Sequence, residues 1–204
     1  YFDTRFVLHT PEKLFKKDLD SVLSCLSTDI DLLRGRRIFV TGGTGFIGRW
    51  IIESLNHANK FADLGICICV LSRNPEAFLQ RAPHLKGQGV DFIRGDVRDF
   101  SFPKTEYDSI IHAAADTNLA VIKESPISLL DTITQGTRRT LDFAASCNAR
   151  DFLYLSSGAV YGPQPVTMTH LSEKYLGAAN ALGSGSEYSE GKRMAETLCS
   201  LYDR

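Results

Sequence analysis

The segment Arg37–Gly48, RIFVTGGTGFIG, constrains this chain more than any other. An apolar run, Ile38-Phe39-Val40, leads directly into Thr41-Gly42-Gly43-Thr44-Gly45-Phe46-Ile47-Gly48, and a helical pattern follows. Two glycine triplets overlap there: Gly43-x-Gly45-x-x-Gly48 and Gly42-x-x-Gly45-x-x-Gly48. Glycine permits a tight strand-to-helix turn, lets backbone approach a pyrophosphate, and lets helix touch strand. The helix start then offers unpaired N–H groups and the positive end of its dipole to phosphate. A lone triplet is weak. Between an apolar strand and an amphipathic helix it predicts a dinucleotide-binding turn, with Gly42, Thr44, Gly45, Phe46, Ile47 and Gly48 as its cradle.

The chain then repeats the same alternation. Strands are expected at Arg37–Thr41, Ile66–Leu71, Val90–Arg94, Ser109–Ala113 and Phe152–Ser156, and helices at Phe46–His57, Pro75–Arg81, Pro126–Ala149 and Glu187–Tyr202. The runs IFV, ICICVL, SIIHA and FLYLS are apolar on successive residues, as in strands buried on both faces. This order predicts an α/β fold: a Rossmann-type, doubly wound parallel sheet with helices on both faces. Cys67 and Cys69, two apart on one strand, face one helix layer and read as buried apolar side chains, not metal or redox groups. Residues 1–34 form a separate N-terminal arm, and 35–204 the dinucleotide-binding domain. In the arm, Thr10-Pro11-Glu12 is a helix start, and Leu14, Phe15, Leu19, Val22, Leu23 and Leu26 recur at helical spacing. That face is expected to pack on the main domain in preference to a partner subunit.

Composition narrows the function. Apolar residues at 43% and charged residues at 23% are ordinary globular usage, which excludes disorder and fibrous repeats. Lys+Arg 23 against Asp+Glu 24 leaves a net charge of −1, so no broad nucleic-acid footprint is expected. No apolar run reaches the ~18 residues of a membrane span, and residues 1–30 lack a signal peptide's apolar centre. Five scattered cysteines without a CxxC pair point to reduced thiols in the cytoplasm, with no metal site.

The end of the second strand selects the cofactor. An NAD site places an acid there, about 20 residues past the glycines, on the ribose 2′-OH. This chain has Val70-Leu71-Ser72-Arg73-Asn74. Arg73 can instead pair with a 2′-phosphate, with Ser72 adding a hydroxyl, so NADP is preferred over NAD.

Further features follow in order. Gly95-Asp96-Val97 succeeds the third strand, and His112-Ala113-Ala114-Ala115 ends the fourth, where small residues let a flat cofactor lie on the strand tips. Ser156-Ser157-Gly158-Ala159-Val160-Tyr161-Gly162 ends the fifth, and Tyr188-Ser189-Glu190-Gly191-Lys192 opens the last helix. Tyr188 and Lys192, four apart, share a helix face. A lysine ammonium beside a tyrosine hydroxyl favours the phenolate and makes a usable general base.

With these motifs in place, the chain from about Arg36 to Tyr202 resembles the extended short-chain dehydrogenase/reductase family, in its nucleotide-sugar modifying branch. The resemblance implies that Asp96 and Val97 contact adenine, and that Ala113, Ala114 and Ala115 lie along the cofactor. It makes Ser157 the substrate hydrogen-bonding serine, Tyr188 the acid/base, and Lys192 the residue that holds the nicotinamide ribose and tunes Tyr188. Residues Glu173–Gly177, then Asn180, Gly183 and Tyr188–Arg193, resemble UDP-glucuronate decarboxylases in particular. Three positions depart from relatives: Ala159 where decarboxylases and 4,6-dehydratases carry an acid, Ser72 where NAD-dependent relatives carry aspartate, and Ile133 where many carry asparagine.

The expected activity is hydride transfer at a sugar carbon, C4, of a nucleoside-diphosphate sugar, as an epimerase or keto-reductase. The alternatives are a decarboxylase-like or 4,6-dehydratase enzyme, an NADPH-dependent reductase of a non-sugar carbonyl, and a non-catalytic NADP(H) sensor. The resemblance also implies a homodimer through the Tyr/Lys helix and its neighbour. It further implies truncation, since relatives continue past this point with their last strands and a substrate lobe.

Overall fold

The computed structural model describes residues 11–26, 29–115 and 124–204, with side chains from Lys16 onward. Five parallel strands form one sheet: β1 (Arg37–Thr41), β2 (Cys67–Ser72), β3 (Val90–Arg94), β4 (Ser109–His112) and β5 (Asp151–Tyr154). Their order is β3-β2-β1-β4-β5. The chain steps outward from β1 to β3, then returns to β4 on the other side of β1. That reversal opens a crevice beyond the carboxyl ends of β1 and β4, where ligands of such sheets bind.

Helices α1 (Pro11–Cys25), α2 (Phe46–Ala62), α3 (Pro75–Arg81), α4 (Pro126–Ser146) and α5 (Ser186–Tyr202) surround the sheet. The alternation of side chains along β1 sets the two layers. Ile38 and Val40 pack with Ile52 and Ala58 of α2 and Phe78 of α3. Phe39, fully buried, faces the other way among Leu71, Phe100, Tyr107, Ile110 and Phe143 of α4. Its ring lies 4.9 Å from that of Phe143 and 5.2 Å from that of Tyr107, edge-on to both. Arg139 of α4 caps this aromatic group, its guanidinium 4.2 Å from the Phe102 ring centroid and hydrogen-bonded to the Phe100 carbonyl.

The Rossmann-type sheet is as expected, with differences at the edges. β5 spans Asp151–Tyr154, not Phe152–Ser156, because its ladder with β4 runs from Ser109↔Asp151 to His112↔Tyr154. One further bond, from Leu155 N–H to the His112 carbonyl, ends the pairing. β5 is also an edge strand, so Leu153 is 55% exposed where burial on both faces was expected. Helix α2 runs to Ala62, past the expected end at His57. The polar stretch after His57 continues the helix because Ala58 is buried, while the Asn59 amide bridges the N–H and C=O of Ile66. The Cys67–Cys69 reading divides: Cys69 is buried beside Phe39, whereas Cys67 opens its strand and is exposed.

Helix α1 lies on α2. Leu23 enters the core cluster of Ile52 and Ala58, and His57 Nε2 shares a 2.8 Å hydrogen bond with Asp20 Oδ1. The capping Thr10 and residues 116–123 lie outside the described residues. No described helix is long and apolar enough to cross a membrane.

Candidate active site

The turn after β1 is built on close backbone contact. Gly42 has φ +71°, a left-handed conformation, and a Cβ there would stand 2.5 Å from the carbonyl carbon and oxygen of Ala113. Gly48, one turn into α2, packs so tightly that a Cβ would fall 2.1 Å from the Gly42 carbonyl oxygen. Strand, turn and helix therefore meet backbone to backbone. The N-cap of α2 is Gly45, which has no side chain to accept the first-turn N–H groups, and no acid lies in that turn.

A cleft opens beside this turn at the carboxyl ends of β1, β2 and β4. Thr41, Gly42 and Thr44 line it from the turn, and Leu71, Ser72 and Arg73 from the end of β2. Gly95, Asp96 and Val97 close it beyond β3, with Ala114, Ala115 and Thr132 opposite. Eight of the sequence-predicted cofactor residues thus line one cavity: Gly42, Thr44, Ser72, Arg73, Asp96, Val97, Ala114 and Ala115. Gly45, Phe46, Ile47, Gly48 and Ala113 adjoin it without lining it. The side chains of Phe46 and Ile47 are 82% and 58% exposed, so the contact these residues can offer is backbone N–H.

Electrostatics in the cleft are specific. The Asp96 carboxylate accepts from Arg98 at both oxygens, 2.8 Å each, and from the Arg98 backbone N–H at 3.0 Å. The Arg98 guanidinium holds this carboxyl below its usual range, and the charge of Arg73 adds to the effect. The Ser72 hydroxyl accepts from Asn74 N–H at 3.3 Å, and the Asn74 side chain in turn caps α3. Arg94 ties the same corner together, donating to the Arg73 carbonyl and to Glu76.

The second group of predicted residues lies on α5 and the end of β5. Lys192 is only 3% exposed, and its ammonium donates to the Leu155 carbonyl at 2.6 Å. It stands 4.7 Å from the Tyr154 ring centroid and 6.0 Å from that of Tyr188. Burial draws the Lys192 amine down to about 8. Tyr188, half-buried, packs against the buried cluster of Leu129, Ile133 and Ala195, as do Ala115 and Tyr154. Ala115 thus belongs to both the cleft and the Tyr188 cluster, which joins the two groups. Ser157 begins the short turn Gly158–Tyr161, its hydroxyl accepting from Ala159 N–H at 3.2 Å.

Ile133, the departure on α4, is 1% exposed and packs against Gly191 of α5. An apolar helix–helix contact stands there in place of an amide's hydrogen bonds. His112 is fully buried between Thr41 Oγ1 (2.6 Å from Nδ1) and Thr137 Oγ1 (3.0 Å from Nε2). Burial depresses it to about 3, so the ring is a neutral link between β1, β4 and α4. His57 and His84 pair with Asp20 and Glu53, and no metal-holding group of three occurs among the described residues. Thr41, Thr132 and Glu196, which meets the Ser156 hydroxyl, escaped the sequence reading. Thr41 precedes the glycines directly and was findable. Thr132 and Glu196 take their place from helix packing, which no local pattern announces.

This glycine cradle, cleft and Tyr–Lys helix coincide with a family match over residues 38–204. The chain belongs to the NAD dependent epimerase/dehydratase family. Within it, UDP-glucuronic acid decarboxylase 6 of Arabidopsis thaliana is 33% identical over 168 residues, covering 82% of this chain and 46% of its own length. UDP-glucuronic acid decarboxylase 1 of Xenopus tropicalis is 32% identical over 168 residues, covering 82% and 37%. The chain therefore spans less than half the length of these relatives. Among solved structures, the dTDP-glucose 4,6-dehydratase DesIV of Streptomyces venezuelae, with NAD and TYD bound, superposes with a TM-score of 0.69 at 26% identity, over 82% of this chain and 52% of that one. The UDP-glucuronic acid 4-epimerase of Bacillus cereus shares the fold, with a TM-score of 0.65 at 21% identity over 81% and 52%.

Proposed function

We propose that this chain is the cofactor-binding and proton-transferring part of an oxidoreductase that acts at a sugar carbon, C4, of a nucleoside-diphosphate sugar. One observation carries the reading: the buried Lys192 ammonium sits at the end of β5 within 6.0 Å of the Tyr188 ring, in a cluster that shares Ala115 with the glycine-turn cleft.

A nicotinamide dinucleotide is the group this cleft would hold. The uncapped start of α2 at Gly45 and the close approach at Gly42 support a diphosphate there. Ser72 and Arg73 would meet the adenosine ribose, Asp96 and Val97 the adenine, and Ala114 and Ala115 the middle of the cofactor. When bound, it supplies a hydride acceptor and donor. Tyr188 takes the proton of the sugar hydroxyl as the carbon is oxidised and returns it on reduction. Ser157 hydrogen-bonds the same oxygen. The Lys192 donors not given to Leu155 can hold the nicotinamide ribose.

Arg73 in the cleft supports NADP as the preferred dinucleotide, since no carboxylate stands at the end of β2, Val70–Asn74. Arg73→Ala is expected to raise the Kd for NADPH about tenfold and leave that for NADH unchanged. Equal wild-type affinities, both indifferent to Arg73→Ala, would remove the assignment.

A second reading is decarboxylation, favoured by the 33%-identical relative. Ala159 opposes it, because those enzymes carry an acid at that position. Reduction of a non-sugar carbonyl and cofactor sensing without turnover are separated by one experiment. Purified protein is assayed for cofactor-dependent exchange or NADPH consumption across a panel of nucleotide sugars, with UDP, dTDP, GDP and CDP as competitors. Turnover that one nucleotide inhibits, and that Tyr188→Phe abolishes without loss of cofactor binding, supports the proposal; unchanged turnover in Tyr188→Phe refutes it. The same reading includes a cytoplasmic location, in keeping with five free thiols, and a homodimer, in keeping with the exposed Met194 and Leu201 of α5.

A further inference from the structure

Tyr188, Lys192 and Glu196 recur every four residues on α5 and form one stripe along it. The segment that stripe meets is Leu155-Ser156-Ser157, between the last ladder bond of β5 and the turn that begins at Ser157. Two side chains of α5 tie this segment to the helix. Lys192 donates to the Leu155 carbonyl, and the Ser156 hydroxyl donates to Glu196 Oε1. Ser157, the next residue, is the one assigned to the substrate oxygen.

We propose that Glu196 is a positioning residue of this site: its carboxylate anchors the β5 end through Ser156, so that Ser157 faces Tyr188, and supports the positive charge of Lys192 one turn away. The proposal rests on the assignment of Ser157, Tyr188 and Lys192 given above. Glu196 lies on the exposed rim of a groove formed with Tyr161, Tyr175 and Arg193. Arg193 is drawn the other way, to the Gly177 carbonyl and to Glu190.

The charges around Lys192 make the second part specific. From β4 it faces His112, which is neutral; from β5, the ring of Tyr154; from α5, Tyr188 and Glu196. The α4 residues that Tyr188 and Tyr154 pack against, Leu129 and Ile133, are apolar. Burial draws the lysine down to about 8, and Glu196 acts against that pull. Glu196, one turn along α5, is the acid whose charge favours the ammonium.

The test uses the full protein carrying this chain and three variants: Glu196→Gln, Glu196→Ala and Ser156→Ala. The first measurement needs neither cofactor nor turnover. The 13Cε resonance of Lys192, identified by its absence in Lys192→Met, is titrated with pH. The midpoint is expected to move to lower pH in both Glu196 variants and to stay at the wild-type value in Ser156→Ala. The second is steady-state turnover beside cofactor Kd. Glu196→Ala and Ser156→Ala are expected to lose about tenfold or more in kcat with cofactor affinity unchanged, as a misplaced reacting group does. Glu196→Gln, whose amide oxygen still accepts from Ser156, restores most of kcat near pH 6.5, but its alkaline limb falls at lower pH than the wild type's.

A Lys192 midpoint unmoved by Glu196→Gln overturns the electrostatic part. Wild-type kcat in Glu196→Ala overturns the anchoring part, as does a common loss of kcat, cofactor binding and cooperative melting in that variant. A wild-type protein without turnover on any nucleotide sugar overturns the catalytic assignment instead, and the Lys192 titration still decides the Glu196 pairing.

Discussion

His112 and Lys192 are both ionisable, both buried, and both drawn toward neutrality by the same cause, yet they ask different things of the fold. His112 has a hydroxyl at each ring nitrogen, so its neutral form is satisfied. Its proton affinity is low in the folded chain, about 3, against an ordinary 6.5 in the unfolded one. Below pH 6.5 the unfolded chain therefore binds a proton that the folded chain refuses, and stability falls as pH falls from 6.5 toward 3. This one group is expected to remove roughly 2 kcal/mol between pH 7 and pH 5. Urea unfolding across that range checks it: His112→Asn should flatten the dependence, and an equal slope in the variant would exclude His112 as its source. Lys192, by contrast, has one backbone carbonyl and two aromatic rings around its ammonium, and no carboxylate within ion-pair distance among the described residues. Its charged form is held by that carbonyl and those rings, so what draws it toward neutrality is burial alone.

At the scale of elements, the β1–α2 unit separates two roles of glycine. Gly35 and Gly42 both have positive φ, +68° and +71°, but a Cβ at Gly35 would meet nothing within 4 Å. Gly35→Ala is expected to cost about 1 kcal/mol, the left-handed strain alone. Gly42→Ala adds the collision with Ala113, is expected to cost at least about 3 kcal/mol, and should weaken dinucleotide binding. Thermal melts with and without NADPH check both; equal losses would mean that the close approach to β4 relaxes easily. The same unit shows what was legible beforehand. RIFVTGGTGFIG fixes its own local structure, because strand, turn and helix start are each dictated by neighbouring residues. The helix start Pro75–Arg81 was equally local, with Asn74 capping and proline at the first position. Leu153 was misread because an apolar run looks the same in a central strand and at a sheet edge. The partnership of Ser156 with Glu196 spans 40 residues and depends on how α5 docks, so no spacing rule reveals it.

Across the whole molecule, the reactive groups gather at one end of the sheet while α1 attaches near the other. Its contacts fall at His57, Lys60 and Phe61 of α2. These lie about 16 to 23 Å along the helix from the turn that begins it. Removal of residues 1–26 is expected to cost about 2 kcal/mol, mainly through loss of Leu23 from the core, and to leave NADPH affinity unchanged. Denaturant midpoints and cofactor titrations of the shortened chain check this; a large loss of affinity would show that the arm and the cleft are coupled. The central position of β1 has a consequence in time as well as in space. β1 is made before the other four strands of the sheet, but His112, the partner of Thr41, is made 71 residues later. Until β4 arrives, Gly42 has no Ala113 to approach, and the near wall of the cleft does not exist. The glycine motif, local as it is in sequence, is therefore completed only when β4 is in place, and during synthesis its glycines wait on the longest-range pairing in the sheet.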